Sequence, residues 1–574
     1  MSAIAEMPPA IWLLGAAFLL CFTRNRISSA LTVLVPLGAL ALLLQMDQGE
    51  SLTLSLAGLE LQPFQLGPVN RVFGIIFLLI SAIGGIYAWH VNDRWQQVMA
   101  TAYATGALGV TFAGDFFTLL VFWELMAVAS AWLVFARRQP DSIRAGFRYL
   151  MVHFAGGSIL LGGILWHYHE TGSLLLTTLS PGDGPAVWLI LVGVCVNVAL
   201  PPLHAWLPDA YPKATVTGAI FMSALTTKSA VYVLLVLFPG WEILVYMGVI
   251  MTLYGVVYAV LANDIRQILA YHIISQVGYM VAGVGIGTEL SMNGTVAHAY
   301  SHILYKALLF MGAGAVIQAT GVSRLSDLGG LARKMRPAVW LYMIGAFSIS
   351  GFPLLNGFIS KSIIVSSAGE AHYPVVMLGL LLASIGTFLS TALKIPVFAF
   401  WGKDPGLSVR PLPATMYLAM GIVAFLCILY GVAPGLLYGM LPYDRTYHPY
   451  TAYHLVESIQ ILTFTFIGFW VLREKLAGAR YIILDTDWFY RRGASLVDAW
   501  FVHPVNVLFT VSAFLRGKVV ESASRTFRNP YHWFKMNTGP AWAFLPDRER
   551  PYLGGIIVWI LMAFVLFATA AFLV

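Results

Sequence analysis

Sixteen apolar segments, each near the length that crosses a lipid bilayer, constrain the fold of this chain more than any other feature. A transmembrane α-helix needs about 20 predominantly apolar residues. Of the 574 residues, 59% are hydrophobic and only 10% are charged, whereas soluble domains carry about 25% charged residues. The sequence therefore predicts an all-α polytopic membrane protein with about 16 transmembrane helices. The spans cover residues 8–23, 29–46, 70–90, 97–113, 116–136, 146–166, 186–205, 216–238, 242–262, 266–287, 293–318, 337–366, 374–400, 413–436, 455–472 and 553–573.

The basic residues predict the orientation of these spans. The net charge is +7, and Lys and Arg gather in the loops after the first, fifth, eleventh, thirteenth and fifteenth spans. Short cytoplasmic loops carry such an excess, so these charges indicate topology and not a nucleic-acid partner. Arg24 and Arg26 follow the first apolar run, which favours a retained helix over a cleaved signal peptide. We expect a multi-pass protein of the inner (cytoplasmic) membrane with both termini on the outer, periplasmic side.

The cysteines indicate neither a disulfide framework nor a metal or iron–sulfur centre. Cys21, Cys195 and Cys427 all lie inside apolar segments at unrelated spacings. The sequence thus predicts no cofactor.

One stretch, residues 197–235, breaks the apolar pattern. It contains Pro201 and Pro202 and, near the middle of the following span, Lys228. Interrupted backbone at membrane depth is tolerated only where protein or a water-filled cavity satisfies the freed groups. Lys228 could instead extend its ammonium group to the membrane interface. Its central position favours a functional site.

Several further ionisable side chains lie inside predicted spans. Each costs roughly 2.5–3.5 kcal/mol at the bilayer centre on insertion scales, so several together favour a hydrated polar line through the membrane. A single buried Glu–Lys pair could also serve only to lock two helices together. The candidate proton-pathway residues are Glu124, Lys228, His272, His298, His302, Lys306, Lys361 and Lys394.

The spacing of His298, His302 and Lys306 is compatible with either a metal site or a proton relay. Residues at i and i+4 share a helix face, as two metal-binding histidines would. Lys306 continues the same stripe, however, and its ammonium would repel a divalent cation. A proton relay fits better, because histidine titrates near neutral pH.

Two blocks of five spans predict an inverted repeat. An odd number of helices in a duplicated unit places the second copy upside down in the membrane. The seventh and twelfth spans, which occupy matching positions, both contain a proline break, at Pro201–Pro202 and at Pro353.

Six motifs, in order along the chain, resemble those of the proton-conducting membrane transporter family. They are FWELM, PLHAWLPDAY, LTTKSAVYVL, DIRQILAYHIISQVGYM, HAYSHILYKALLFMGAG and GFPLLNGFISK. The family includes the antiporter-like subunits of respiratory complex I, their hydrogenase relatives, the A and D subunits of Mrp-type cation/proton antiporters, and the membrane subunit of inorganic-carbon uptake complexes. The resemblance implies a 14-helix core with two inverted five-helix repeats, broken helices 7 and 12, and a central Glu/Lys/His axis for protons.

The resemblance assigns Glu124, Lys228 and Lys361 to the ionisable positions of helices 5, 8 and 12, and the pair His302 and Lys306 to helix 11. One position departs from the family pattern. Where the family usually has a lysine seven residues before the histidine of PLHAWLP, this chain has Asn197. The Glu–Lys pair expected between helices 5 and 7 therefore cannot form, and Glu124 must have another partner, be protonated, or contact water.

The predicted domains follow from the repeats. They are the first three helices (1–95), the first repeat (96–238), the second repeat (239–402), helices 14 and 15 (403–475), a C-terminal amphipathic segment (476–552) and a final helix (553–574). The amphipathic segment interleaves aromatic residues with arginine and lysine. It resembles the lateral helix of the largest antiporter-like subunit of complex I, although Pro504 interrupts it. It could also lie on lipid headgroups without a protein partner.

The sequence is compatible with three candidate functions of the chain. The first is a proton-translocating subunit of a multisubunit complex, moving protons in exchange for Na⁺ or coupled to a partner's chemistry, with other membrane subunits and the bilayer as partners. The second is a redox enzyme, which the lack of a GxGxxG motif and of cofactor ligands argues against. The third is an inactive scaffold, favoured only by Asn197. The sequence favours the first and leaves the subfamily open.

Overall fold

The computed structural model describes residues 7–56, 58–478, 484–528 and 553–572. The N-terminal helices are α1 (Pro9–Leu20), α2 (Asn25–Gln45), α3 (Pro68–Tyr87), α4 (Arg94–Phe112), α5 (Phe116–Phe135), α6 (Pro140–Thr171), α7 (Pro185–Val198), α8 (Trp206–Ala210), α9 (Gly218–Ala224) and α10 (Thr226–Leu237). The helices that follow are α11 (Glu242–Leu261), α12 (Ile265–Ile286), α13 (Glu289–Thr320), α14 (Leu331–Lys334), α15 (Arg336–Ile349), α16 (Asn356–Glu370), α17 (Pro374–Thr387), α18 (Ala414–Val432), α19 (Gly435–Tyr438) and α20 (Ala452–Leu472). The last three are α21 (Asp487–Val497), α22 (His503–Arg528) and α23 (Leu553–Phe572).

The helices confirm an all-α membrane architecture. In the described part of the chain, 12 helices are long and apolar enough to cross a membrane by length and composition. Shorter apolar helices such as Pro9–Leu20 and Pro185–Val198 coincide with other predicted spans. The total of sixteen spans and the domain boundaries remain predictions.

A β-hairpin between α2 and α3 was not predicted. Strands β1 (Ser51–Leu56) and β2 (Leu59–Gln65) pair antiparallel. Apolar and polar residues alternate along β1, and a period of two is typical of strands. The second strand buries Leu61 and Phe64 against the helices.

The predicted break in the seventh span is confirmed. Helix α7 ends at Val198, and Ala199 adopts a left-handed conformation with φ of 64°. Pro201 and Pro202 follow, and neither can donate a backbone hydrogen bond, so the helix cannot resume at once. It restarts only at Trp206, as α8.

The twelfth span breaks in the same way. Helix α15 ends at Ile349, and Gly351 and Leu354 flank Pro353 with φ of 76° and 70°. Helix α16 then begins at Asn356. The two interrupted spans therefore share a design in which proline and left-handed residues expose backbone carbonyls inside the protein.

The centre of the protein is formed by α12 and α13, which are buried along almost their whole length. Helix α11 packs closely on α12 because glycines face its backbone. A Cβ at Gly248 would lie 2.4 Å from the Ala282 amide nitrogen, and a Cβ at Gly255 would lie 2.5 Å from that of Ser275. Small residues at helix contacts allow such close approach in membranes. This packing places the polar residues of α12 and α13 inside the protein.

The chain divides into two compact units, Met1–Asp487 and Trp488–Val574. In the second unit, Asp498–Val502 joins α21 to α22 as a π-helical turn. The large apolar side chains of this segment, such as Trp500 and Phe509, are exposed in this chain. The run Asp487–Ser524 is long and apolar enough to count among the twelve helices that could cross a membrane. Its predicted interfacial position therefore remains a prediction, and residues 479–483 and 529–552 of the predicted amphipathic segment (476–552) lie outside the described residues.

Candidate functional site

Lys228 lies fully buried at an interruption of the eighth span. The helix breaks at Leu225, between α9 and α10, and leaves the carbonyl of Ser223 without its usual helical donor. The Lys228 ammonium donates to that carbonyl at 2.6 Å and to the Thr227 hydroxyl at 3.0 Å. No carboxylate of the described residues is bonded to it, so backbone and hydroxyl dipoles hold this cation.

Lys361 occupies a comparable position beside the break in the twelfth span. Its ammonium donates to the carbonyl of Ile349, the last residue of α15, at 2.9 Å. It also lies 5.1 Å from the ring centroid of Tyr279, close enough for a cation–π interaction. Both lysines thus use carbonyls that an interrupted helix exposes.

The polar stripe on α13 is buried between these two lysines. His298, His302 and Lys306 are all 0% exposed. His298 contacts the hydroxyls of Ser360 at 3.2 Å and Tyr305 at 3.4 Å. Both ring nitrogens of His302 and the ammonium of Lys306 have no hydrogen-bond partner in the described residues. Buried polar groups in proteins are almost always hydrogen-bonded, so water is the expected partner of these atoms.

Electrostatic interactions connect these groups across four helices. The charge of Lys228 on α10 acts on both His302 and Lys306, and that of Lys361 acts on His298 and His302. His272 on α12 interacts with Lys306 and Lys361. The structure therefore brings together six of the eight sequence-predicted residues.

The two remaining residues lie apart from this group. Lys394 donates to the carbonyls of Val260 and Ala262 at the C-terminal end of α11, as a helix-capping lysine does. Glu124 is half-buried on α5 and has no hydrogen bond or ion pair in the described residues. Its carboxylate rests against Gly157 of α6, where an added Cβ would lie 1.8 Å from Oε1.

Asn197 pairs with a histidine that the sequence analysis missed. The Asn197 side-chain oxygen lies 2.7 Å from Nδ1 of His153, and both residues are 1% exposed. The other ring nitrogen, Nε2, is buried without a partner in the described part of the chain. His153 lies one helical turn from Gly157, so it shares a face of α6 with the contact to Glu124. Its position within the apolar sixth span was the signal that could have identified it.

Charged residues near α8 were also missed. Asp209, within the PLHAWLPDAY motif, accepts two hydrogen bonds from Arg148 at 2.7 and 2.9 Å and one from Lys213 at 2.7 Å. His204, in the break itself, bonds to Asp485 from the chain beyond α20. Two of their partners, Arg148 and Asp485, lie far away in sequence, so local patterns do not reveal these contacts.

A pocket adjoins Lys361 between α16, α17 and α20. Its polar lining includes Ser350, Lys361, Ser384, His454 and Glu457. It gives the buried ammonium a polar neighbourhood away from α13. In the described residues, no three or more His, Cys, Asp or Glu side chains are grouped as metal ligands.

Comparisons with known proteins identify the family of this chain. Residues 113–390 match the family described as NADH:quinone oxidoreductase/Mrp antiporter, TM. The chain is 33% identical over 398 residues to NADH-quinone oxidoreductase subunit N of Desulforudis audaxviator, covering 64% of this chain and 79% of that protein. It is 29% identical over 438 residues to the D subunit of the Na(+)/H(+) antiporter of Alkalihalophilus pseudofirmus, covering 70% of this chain and 88% of that protein.

Among solved structures, the fold resembles a chain of the membrane-bound sulfane sulfur reductase (MBS), an archaeal respiratory membrane complex. The TM-score is 0.70 at 24% identity, and the match covers 97% of this chain and all of the other. This likeness concerns the fold and extends over nearly the whole length of the chain.

Proposed function

Because the chain belongs to the NADH:quinone oxidoreductase/Mrp antiporter transmembrane family, we propose that it is a proton-translocating, antiporter-like membrane subunit of a multisubunit complex. The relatives named above are a subunit of an Na(+)/H(+) antiporter and a subunit of an NADH-quinone oxidoreductase. Its partners would be other membrane subunits and the bilayer, and its cargo protons, with Na⁺ as the candidate exchanged ion.

One observation supports this proposal above the others. Lys228, His302 and Lys306 interact inside the protein, and neither His302 nor Lys306 has a hydrogen-bond partner in the described residues. A scaffold has no need of these groups, because each ionisable side chain at membrane depth carries an insertion cost. A proton path needs groups that accept and release a proton without a fixed partner.

The proposed path runs along the polar stripe of α13. Protons pass between Lys228, His302 and Lys306, and then by way of His298 towards Lys361, whose pocket supplies an exit. His272 belongs to the same group of residues, whereas Glu124 and Lys394 are the proposed proton-pathway residues at the two ends of the path. Water molecules complete the gaps, since the polar side chains alone do not form a continuous chain of hydrogen bonds.

The orientation is part of the proposal. Support comes from the basic residues of the odd-numbered loops, which favour a cytoplasmic position for those loops and a position outside the inner membrane for both termini. The two broken spans, each beside a buried titratable group, support the inverted repeat.

A second candidate function is coupling of proton movement to a partner's chemistry, as in a respiratory or hydrogenase-like complex. The match to a chain of a respiratory membrane complex extends over 97% of this chain, including its C-terminal part. Purification of the intact complex would distinguish the two candidates by the presence or absence of redox subunits.

The test of the proposed function measures pH-gradient formation by membrane vesicles that contain the intact complex. Lys228→Ala and Lys306→Ala should each lower the rate more than about tenfold, while leaving membrane insertion intact, because removing a buried charge relieves an insertion cost. Lys→Arg at either position should fail nearly as badly, since a guanidinium does not release its proton. Lys403→Ala, at an exposed loop position, is the matched control. Near-normal rates for Lys228→Ala at equal protein level would leave only the scaffold function.

A further inference from the structure

A short segment beyond α20 lies against the break in the seventh span. Residues Leu484, Asp485 and Thr486 belong to the first compact unit. The Leu484 carbonyl accepts a hydrogen bond from the Tyr258 hydroxyl at 3.0 Å, and the Thr486 hydroxyl donates to the Pro202 carbonyl at 3.2 Å. These two contacts fix the backbone on either side of Asp485.

The Asp485 carboxylate is enclosed by donors. It accepts hydrogen bonds from the hydroxyls of Tyr254 and Tyr271, both at 2.5 Å, and from its neighbouring Thr486 amide at 2.6 Å. Nε2 of His204 lies 3.1 Å away, and the side chains of His204 and Asp485 are only 0% and 6% exposed.

The carboxylate is ionised in this environment. Burial raises the pKa of Asp485, but the hydrogen bond and charge of His204, with the hydrogen bonds of Tyr254 and Tyr271, outweigh that effect and hold the pKa at about 2. Part of this lowering comes from the charge of a protonated His204, so the carboxylate is ionised whenever His204 holds its second proton. When His204 is neutral, the carboxylate still accepts from two tyrosine hydroxyls and one amide.

One ring nitrogen of His204 is hydrogen-bonded to the carboxylate, and the other is available to bind a proton. With Nε2–H directed at the carboxylate, Nδ1 is the nitrogen that can accept a proton. Nδ1 is buried and has no hydrogen-bond partner in the described residues. The ring also meets the edge of Tyr254 at 4.6 Å between centroids, which fixes its orientation.

We propose that His204 and Asp485 form a proton-binding site at the break of the seventh span, with Asp485 as its fixed counter-charge. The proposal rests on the proposed function. It adds a proton carrier to the first half of the path, the half that lies in the first predicted repeat (96–238) and contains the seventh span. A proton from water forms the Nδ1–H bond, the imidazolium is stabilised by the carboxylate on its other side, and the same bond breaks when the proton returns to water. Asp485 gains and loses no proton.

A purely structural latch would also explain the contacts of Leu484 and Thr486. It would not require a buried histidine whose second nitrogen is left unsatisfied, because an unpaired buried group is costly. The other titratable groups around the pair are Tyr254, Tyr258 and Tyr271, with Asp487 acting on Tyr271. None of these supplies a positive charge, so the carboxylate acts mainly on His204.

The test is ¹⁵N NMR of the full chain, labelled at histidine and reconstituted in lipid bilayers. The His204 signal is identified by its loss in His204→Asn. In the wild type, neutral His204 should carry its proton on Nε2, and acidification should add the second proton at Nδ1. A wild-type ring with its proton on Nδ1, or one that acidification leaves neutral, would overturn the proposal without any variant.

Variants at Asp485 then measure the counter-charge. In Asp485→Asn, half-protonation of His204 should require a proton concentration at least about tenfold higher than in the wild type. Asp485→Glu should restore most of the wild-type titration. Asp498→Asn, which removes an exposed carboxylate from the same C-terminal part, is the matched control and should leave the titration unchanged. Equal titrations in wild type and Asp485→Asn would exclude the site. The measurement needs no transport, so a wild-type complex without proton flux would refute the proposed function alone.

Discussion

The two interrupted spans share a backbone design but differ in the charge they hold. In the twelfth span, Lys361 brings an ammonium to the exposed carbonyl of Ile349. In the seventh span, the residue just before the helix end is Asn197, and its side chain pairs with a histidine. The twelfth-span break therefore holds a lysine ammonium, whereas the seventh-span break holds a neutral amide beside one imidazole and the Asp485 carboxylate beside another.

This difference shows that the two halves of a duplicated fold can hold different ionisable groups. The twelfth-span break holds a lysine by a backbone carbonyl and a tyrosine ring. The seventh-span break pairs one imidazole with an amide and another with a carboxylate. The two halves of the proposed path would thus carry protons on different side chains, histidines in the first and a lysine in the second.

Replacement of Lys361 tests this comparison with the largest expected effect. Lys361→Ala should lower proton flux in vesicles more than about tenfold, because the charge at the exit pocket is lost and the Ile349 carbonyl loses its donor. Asn197→Ala, at the matching break, should cost only about threefold, since it removes a hydrogen bond between neutral groups. Equal losses in the two variants, at equal protein level, would mean that the breaks do not differ in this way.

Introduction of the missing lysine tests the first half directly. Asn197→Lys should lower flux about fivefold, because it breaks the bond to His153 and places a positive charge beside the imidazole. The loss should grow at least about threefold further in a Glu124→Gln background, where no carboxylate can offset the new charge. The measurement is a double-mutant cycle on proton flux, with Asn197→Met as the uncharged control. The same loss in both backgrounds would show that Glu124 and position 197 are not coupled.

Much of the fold was predictable because bilayer thickness leaves few alternatives for long apolar segments. The helices and both breaks follow from apolar length and from proline, as Pro201 and Pro353 show. The stripe of His298, His302 and Lys306 was equally predictable, since helical spacing alone puts these residues on one face. The hairpin at Ser51–Gln65 was missed, although its alternating pattern is present in the sequence.

The partners of the buried groups were not predictable. Whether His153 faces Asn197 depends on how α6 rotates against α7, which glycine contacts decide. The bond between His204 and Asp485 joins residues 281 positions apart, and no local pattern encodes it. Glu124 illustrates the same limit, because its carboxylate lies against a glycine, Gly157, that carries no chemical signal.

Gly157 allows the most selective test of the first half of the path, with the smallest expected effect on flux. Gly157→Ala would put a Cβ 1.8 Å from Oε1 of Glu124, so the carboxylate must move away from α6. The displaced atom ends a flexible side chain, and the free energy of unfolding should therefore change by less than about 1 kcal/mol. Flux should nevertheless fall about threefold if the position of Glu124 beside His153 matters, because misplaced groups transfer protons less efficiently. Gly162→Ala on the same helix has no atom within 4 Å of the added Cβ and serves as the matched control. Flux and thermal stability of both variants would be measured in the same vesicles. A normal flux in Gly157→Ala would show that Glu124 need not stand where the structure places it, and would shift the first half of the path to the histidines alone.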